Sequence, residues 1–220
     1  MSMPPAIFAC GRNYADHAKE MSSDLPERPL IFMKNPASVI ANGESILLPP
    51  ICDFHGPQVD FEGELAVIIG RDCRDVNDSD ALDFVSGYAI ANDVSARWWQ
   101  KHGSGGQFIR GKSFDTFCPM SEPVPADRID DPQGLRLVTT LNGEIMQDSN
   151  TSYMIFPVAT LVAELSQGMT LLAGTVLLTG TPGGVGSVRT PPRFLQEGDV
   201  IEITIDELGT LSNPVRRGTS

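Results

Sequence analysis

The sequence predicts an α+β fold dominated by β-strands, within one domain spanning residues 1–220. Three observations lead there. Short runs of β-branched and apolar residues recur along the whole chain, which is how strands read. Helical periodicity is confined to two segments. These do not alternate with the strands as a doubly wound parallel sheet requires.

Taken in order, the strand candidates are Ala6 to Cys10, Leu30 to Met33, Phe61 to Ile69, Tyr88 to Val94, Leu135 to Leu141, Thr175 to Leu178, Val200 to Ile205 and Leu208 to Val215. Asn142-Gly143 predicts a hairpin, because both residues take the positive φ that a two-residue turn needs. A second turn is predicted at Asp206-Glu207-Leu208-Gly209. Asp78-Ser79-Asp80 can cap a short helix running to Val85. Tyr153 to Ser166 is amphipathic at helical spacing, with Ile155, Val158, Ala159, Val162 and Leu165 on one face. Pro157 is tolerated near its start and Gly168 supplies a stop. Two long loops, Ser22 to Pro29 and Gly183 to Gly198, read either as functional or as surface decoration.

Composition excludes several classes. A formal net charge of -12 repels polyanions, so nucleic acid and anionic membrane surfaces are not expected partners. No run approaches the ~20 apolar residues of a membrane span, and the start of the chain lacks the basic and apolar regions of a signal peptide. Cys10, Cys52, Cys73 and Cys118 have neither zinc-ligand nor disulfide-framework spacing, so free thiols in a reducing compartment, the cytoplasm, are expected.

The chemistry concentrates at Val59-Asp60-Phe61-Glu62-Gly63-Glu64-Leu65-Ala66-Val67. On a strand, Asp60, Glu62 and Glu64 would share one face and Phe61, Leu65 and Val67 the other. Crowded carboxylates need solvent or a cation; a solvated edge is the plain reading. Asp93 ends a run, Gly87 to Asn92, too apolar for an exposed edge, and an aspartate there needs a partner. Oxygen ligands from Glu62, Glu64 and Asp93 would suit a hard divalent ion and suit zinc poorly.

Four segments in order, Glu62-Gly63-Glu64-Leu65-Ala66, Asn92-Asp93-Val94-Ser95-Ala96-Arg97, Arg110-Gly111-Lys112-Ser113-Phe114-Asp115-Thr116-Phe117 and Leu178 to Gly186, resemble the signatures of the fumarylacetoacetate hydrolase family. The resemblance covers nearly the whole chain and is to the short members: acylpyruvases, fumarylpyruvate hydrolases and oxaloacetate decarboxylases. It implies a β-rich mixed-sheet roll of that family's C-terminal-domain type, a homodimer, and a Mg2+ ion, with Mn2+ or Ca2+ as alternatives, held by Glu62, Glu64 and Asp93.

The resemblance also implies roles for other residues. Lys112, as a bare pattern a surface lysine, would stabilise a developing enolate or oxyanion. Thr181, in a turn that by itself is only a sharp loop, would bind a substrate carboxylate through its hydroxyl and backbone N–H, and Gln100 would contact substrate. Arg12 is a candidate carboxylate clamp. His17 and Glu20, three residues apart, share a face on a helical turn and would act as a base dyad; alone, such a pair is an ordinary surface pair. Relatives often carry an acidic residue after Ala-Arg where this chain has Trp98 and Trp99, which read as packing residues or an apolar wall. Lys34, His55 and His102 receive no role.

The activity expected from the resemblance is Mg2+-dependent hydrolysis of the C–C bond in acylpyruvate-type β-diketo acids, small anionic substrates such as fumarylpyruvate, to pyruvate and a carboxylic acid. The alternatives are oxaloacetate decarboxylation or isomerisation of a 2-hydroxy-diene-dioate at the same metal site, and a binding protein without turnover.

Overall fold

The computed structural model describes residues 3–16 and 26–219. The strands are, in chain order, β1 (Ile7–Gly11), β2 (Leu30–Lys34), β3 (Val39–Ile40), β4 (Ile46–Leu48), β5 (Val59–Asp60), β6 (Gly63–Ile69), β7 (Val85–Asn92), β8 (Ser95–Ala96), β9 (Cys118–Pro119), β10 (Val124–Pro125), β11 (Arg136–Leu141), β12 (Glu144–Asn150), β13 (Val176–Leu178), β14 (Val200–Ile205) and β15 (Gly209–Arg217). Two described helices are α-helical: α1 (Arg97–Lys101) and α2 (Val158–Ser166). None is long and apolar enough to cross a membrane.

The expected β-rich α+β class is what the chain adopts. A six-stranded mixed sheet runs β10-β7-β6-β13-β1-β2, with β1 and β13 parallel and the remaining pairs antiparallel. A second, five-stranded sheet runs β12-β11-β14-β15-β4. The main core lies where Leu65, Val67, Ile69 and Ile90 of the first sheet meet Leu137, Ile203, Ile205 and Leu211 of the second. Val158, Leu161, Val162 and Leu165 of α2 close the same core. Burying a branched apolar side chain of this kind contributes about 1.5–3 kcal/mol.

The two faces of β6 do different work. Odd-numbered Leu65, Val67 and Ile69 enter that core, while Ala66 joins a second cluster of small residues, Ala9, Ala89 and Ala91, on the opposite face. Glu64 shares that opposite face by the period of two.

Several expected elements have shifted bounds. Phe61 to Ile69 is not one strand: β5 ends at Asp60, Phe61 and Glu62 are irregular, and β6 begins at Gly63. The helix from Asp78 is a 3-10 helix to Phe84. The segment from Tyr153 becomes α-helical only at Val158, with Pro157 at its N-cap, because Pro157 cannot donate within a helix begun earlier. The hairpin at Asn142-Gly143 forms with φ of 53° and 82°, and the turn before β15 carries Glu207 at φ 63°. All four cysteines are free and buried.

Candidate metal centre

Strand pairing brings the three acidic residues together. In the β6/β7 ladder Gly63 faces Asn92, which sets Glu62 and Glu64 beside the residue that follows, Asp93. Two further bonds lock the corner: the Asp93 N–H donates to the Glu62 carbonyl at 2.8 Å, and the Glu62 N–H donates to Asn92 Oδ1 at 3.0 Å. One carboxylate oxygen from each of Glu62, Glu64 and Asp93 then lies within 4.8 Å of the others, and all three residues are buried. Ligands across a single Mg2+ or Ca2+ ion stand about twice the metal–oxygen distance apart, roughly 4–5 Å. An all-oxygen set at this spacing fits a hard divalent cation.

The charge balance fits it too. Four carboxylates, Asp60, Glu62, Glu64 and Asp93, are buried together with three cations, Lys34, Arg97 and Lys112, which leaves one negative charge over. The pairings show where it sits. Asp60 takes Arg97 Nε at 2.8 Å and Nη2 at 2.7 Å; Glu62 Oε1 takes Arg97 Nη1 at 2.6 Å. Lys112 Nζ reaches Glu62 Oε2 and Ser95 Oγ, both at 2.8 Å, and Asp93 Oδ2 at 2.5 Å. Lys34 Nζ donates to Asp93 Oδ1 at 2.6 Å and to the carbonyl of Lys112. Glu64 makes no ion pair among the described residues, and its Oε2 accepts the Gly180 N–H at 2.7 Å. Burial first, then the charges of Asp93 and Glu62, hold its carboxyl well above the ordinary carboxylate range. A group that resists ionising beside two anions is one that a bound dication would ionise.

Asp60 is not a fourth member of the acidic face, contrary to the period-two expectation. The break at Phe61 and Glu62 turns it away from the cluster, where it also accepts the N–H groups of Gly186 and Ser187 at 2.8 and 3.0 Å. It therefore ties the loop after β13 to Arg97.

Beside the carboxylates lies a cavity of about 120 Å³ whose lining includes Arg12, Gln100, Lys101, Lys112 and Thr181, with Phe32 and Phe108 as apolar wall. The sequence-predicted Arg12, Gln100, Lys112 and Thr181 thus gather at one place with Glu62 and Glu64. Their polar atoms differ in availability. All three N–H groups of Lys112 are engaged by Glu62, Asp93 and Ser95. The Thr181 hydroxyl donates to the Gly63 carbonyl at 2.9 Å and accepts from Gln147 Nε2 at 2.8 Å, so its donor is spent. Gln100 Oε1 accepts from Arg97 Nη1 at 3.1 Å, which leaves the amide Nε2 as its donor toward the cavity. Cys10 lines the same cavity, but burial and Glu64 push its thiol up to about 12, so it is a protonated, inert wall. His17 and Glu20 lie outside the described residues.

Asn13 anchors the entrance. Its Nδ2 donates to the carbonyls of Thr179 at 2.8 Å and Phe156 at 3.0 Å, while its Oδ1 accepts the Phe156 N–H at 2.8 Å. Gly180 passes so close that a Cβ would stand 2.7 Å from the Asn13 Cβ, at a φ of +99°. Lys34, Arg97 and Gln147 had no sequence-derived role, although Lys34 and Arg97 stand within or beside quoted segments. A charged residue inside an apolar run was the available signal, as it was for Asp93. Trp99 packs in the core around Phe117, and Trp98 stacks on His55 with ring centroids 3.6 Å apart.

The family profile described as fumarylacetoacetate (FAA) hydrolase C-terminal matches residues 6–216. The oxaloacetate tautomerase YisK of Bacillus subtilis (strain 168) is 46% identical over 215 residues, covering 95% of this chain and 69% of that protein. The mitochondrial oxaloacetate tautomerase Fahd2a of Rattus norvegicus is 43% identical over 216 residues, covering 98% of this chain and 67% of its own length. The chain thus spans about two thirds of these relatives. Among solved structures, the 2-hydroxyhepta-2,4-diene-1,7-dioate isomerase of Mycobacterium marinum superposes with a TM-score of 0.84 at 40% identity, covering 99% of this chain and 77% of that one.

Proposed function

Because the chain belongs to the fumarylacetoacetate hydrolase family, we propose that it is a divalent-metal-dependent tautomerase of small 2-oxo dicarboxylates, interconverting the enol and keto forms of oxaloacetate or a close analogue. The observation that carries this reading is the convergence of Glu62, Glu64 and Asp93 oxygens within 4.8 Å beside a small cavity. The tautomerase and dioate-isomerase names of the relatives support keto–enol chemistry over hydrolysis of acylpyruvates. A reducing cytoplasm suits the four free thiols.

Glu62, Glu64 and Asp93 would hold the cation, Mg2+ by the hardness of the donors, and bound there it would supply a Lewis acid for an enolate oxygen. The protein's own groups do the rest. Gln100 Nε2 donates to the substrate. The Phe32 and Phe108 wall restricts bulk water, which strengthens each polar contact. Arg97 and Lys112 keep Glu62 and Asp93 ionised and in position rather than meeting substrate themselves. Tautomerisation breaks one C3–H bond, passes that proton to a base, and places a proton on the C2 oxygen. The sequence pattern of His17 with Glu20 fits the base, with Glu20 orienting the imidazole.

The test follows the ultraviolet absorbance of enol-oxaloacetate as it converts to the keto form. The expected result is enzyme-dependent conversion, abolished by EDTA and restored by Mg2+, with acylpyruvate cleavage and CO2 release slower in parallel assays. Efficient release of pyruvate from acylpyruvates with no acceleration of tautomerisation would return the reaction to hydrolysis.

A further inference from the structure

We propose that Lys101 and Arg12 form a clamp at the cavity entrance for the far carboxylate of a dicarboxylate substrate, and that this clamp sets the preference for diacids over monoacids. The inference rests on the tautomerase reading and adds its specificity determinant.

The argument begins from which cations remain available. Lys34, Arg97 and Lys112 are each bound to buried carboxylates, and the three donors of Lys112 are spent. None can meet a second anion without leaving another carboxylate unpaired in a low-dielectric interior. Arg12 and Lys101 are different. Both line the cavity, and neither makes an ion pair or side-chain hydrogen bond among the described residues. In a chain of net charge -12, two cations with no acidic partner among the described residues at one opening stand out from the pattern around them.

Local structure explains why both are delivered there. Helix α1 runs from Arg97 to Lys101, so Arg97, Gln100 and Lys101, spaced i, i+3 and i+4, share one face. The face that carries Arg97 to Glu62 and turns the Gln100 amide to the cavity therefore brings Lys101 to its rim. Trp98 and Trp99 take the other side, Trp98 on His55 and Trp99 against Phe114. Arg12 stands at a φ of +57°, a conformation that costs an ordinary residue free energy and persists only where its surroundings enforce it. Asn13, fixed to Phe156 and Thr179, is that enforcement. A strained backbone position holding at a cavity a guanidinium with no ion pair among the described residues is the arrangement of a preorganised anion ligand.

The chemistry selects the ligand class. The 2-oxo acid end of the substrate belongs to the carboxylate cluster and its cation; a second carboxylate at the entrance would meet two positive charges, and a neutral end would meet none.

The experiment compares oxaloacetate with its far-end ethyl ester in wild type, Lys101→Met, Lys101→Arg and Arg12→Met. The expected result is that the kcat/KM ratio of diacid to ester falls about fivefold to tenfold in Lys101→Met and Arg12→Met, mainly through KM of the diacid, as loss of a hydrogen bond to a charged group predicts. Lys101→Arg should keep the ratio. An unchanged ratio in both methionine variants overturns the clamp while leaving the tautomerase reading intact. Calorimetry of malate against lactate on the Mg2+-loaded protein provides the arm that needs no turnover. Tighter malate binding that is lost in Lys101→Met supports the clamp even where tautomerase activity is absent. Equal binding of the two acids, or binding of neither, refutes it.

Discussion

Asp60 offers the sharpest test of how the centre is held together. It is fully buried, and its carboxylate accepts from Arg97 Nε and from the N–H groups of Gly186 and Ser187 at 2.8 to 3.0 Å. Asp60→Asn keeps the shape and one acceptor oxygen but removes the charge, so Arg97 is left buried with Glu62 as its one anionic partner among the described residues. Breaking a buried pair from one side costs about 3–5 kcal/mol. For a chain of this size each kcal/mol lowers Tm by about 2–4 °C, so a fall of roughly 6–20 °C is expected. Urea unfolding followed by tryptophan fluorescence, with the slope unchanged, reads the same loss as a lower midpoint. The second half of the test is Asp60→Asn with Arg97→Met. Removing both charges takes away the guanidinium that the single variant strands, so the double variant should be more stable than the sum of the single losses by about 1–3 kcal/mol. A single variant within about 1 kcal/mol of wild type, or strict additivity in the cycle, would refute the claim that Asp60 and Arg97 act as one unit.

Two further outcomes follow from the same centre. Gly180→Ala places a Cβ 2.7 Å from the Asn13 Cβ at a φ of +99°, whereas Gly143→Ala, at φ +82°, meets nothing within 4 Å. Thermal denaturation should therefore show a loss of about 1 kcal/mol for Gly143→Ala and several for Gly180→Ala, and only the latter should weaken Mg2+ binding, because it displaces the N–H that Glu64 accepts. The acidity of Glu64 sets a pH dependence. Its carboxyl is raised well above the 4.5 of an unperturbed glutamate, so without metal the folded state holds this proton more tightly than the unfolded chain does. Its stabilisation is present below the unfolded value and is lost as pH rises through the folded one. Mg2+ must displace the proton, so affinity measured by calorimetry should rise up to tenfold per pH unit across that window and then level off; affinity that is flat from pH 5 to 8 would contradict it.

The convergence of Glu62, Glu64 and Asp93 was legible because these residues break a rule visible in one dimension: carboxylates inside or beside apolar runs. The same rule, applied to Lys34 in Leu30 to Lys34, would have found the lysine that holds Asp93. What could not be read was how each polar group spends its bonds. Lys112 and Thr181 were expected to face substrate, yet both are at the cavity with their donors committed, through contacts to Ser95, Gly63 and Gln147 that are distant in sequence. The strand from Phe61 failed as a single unit because periodicity does not register the turn that sends Asp60 to Arg97. Helix α1 was missed because five residues give no usable period, although it carries Arg97, Gln100 and Lys101.

The parallel pairing of β1 with β13 matches Ile7 to Val176, so strands from opposite ends of the sequence are neighbours in the central sheet. The Gly180 amide that Glu64 needs arrives with that pairing. On the ribosome, the acidic cluster at residues 62 to 93 emerges long before its last donor, and neighbours so remote in sequence make for slow assembly. Any loading with a cation would thereby wait until residue 180 has been made, and a nascent chain halted before it would carry the three carboxylates without the completed centre.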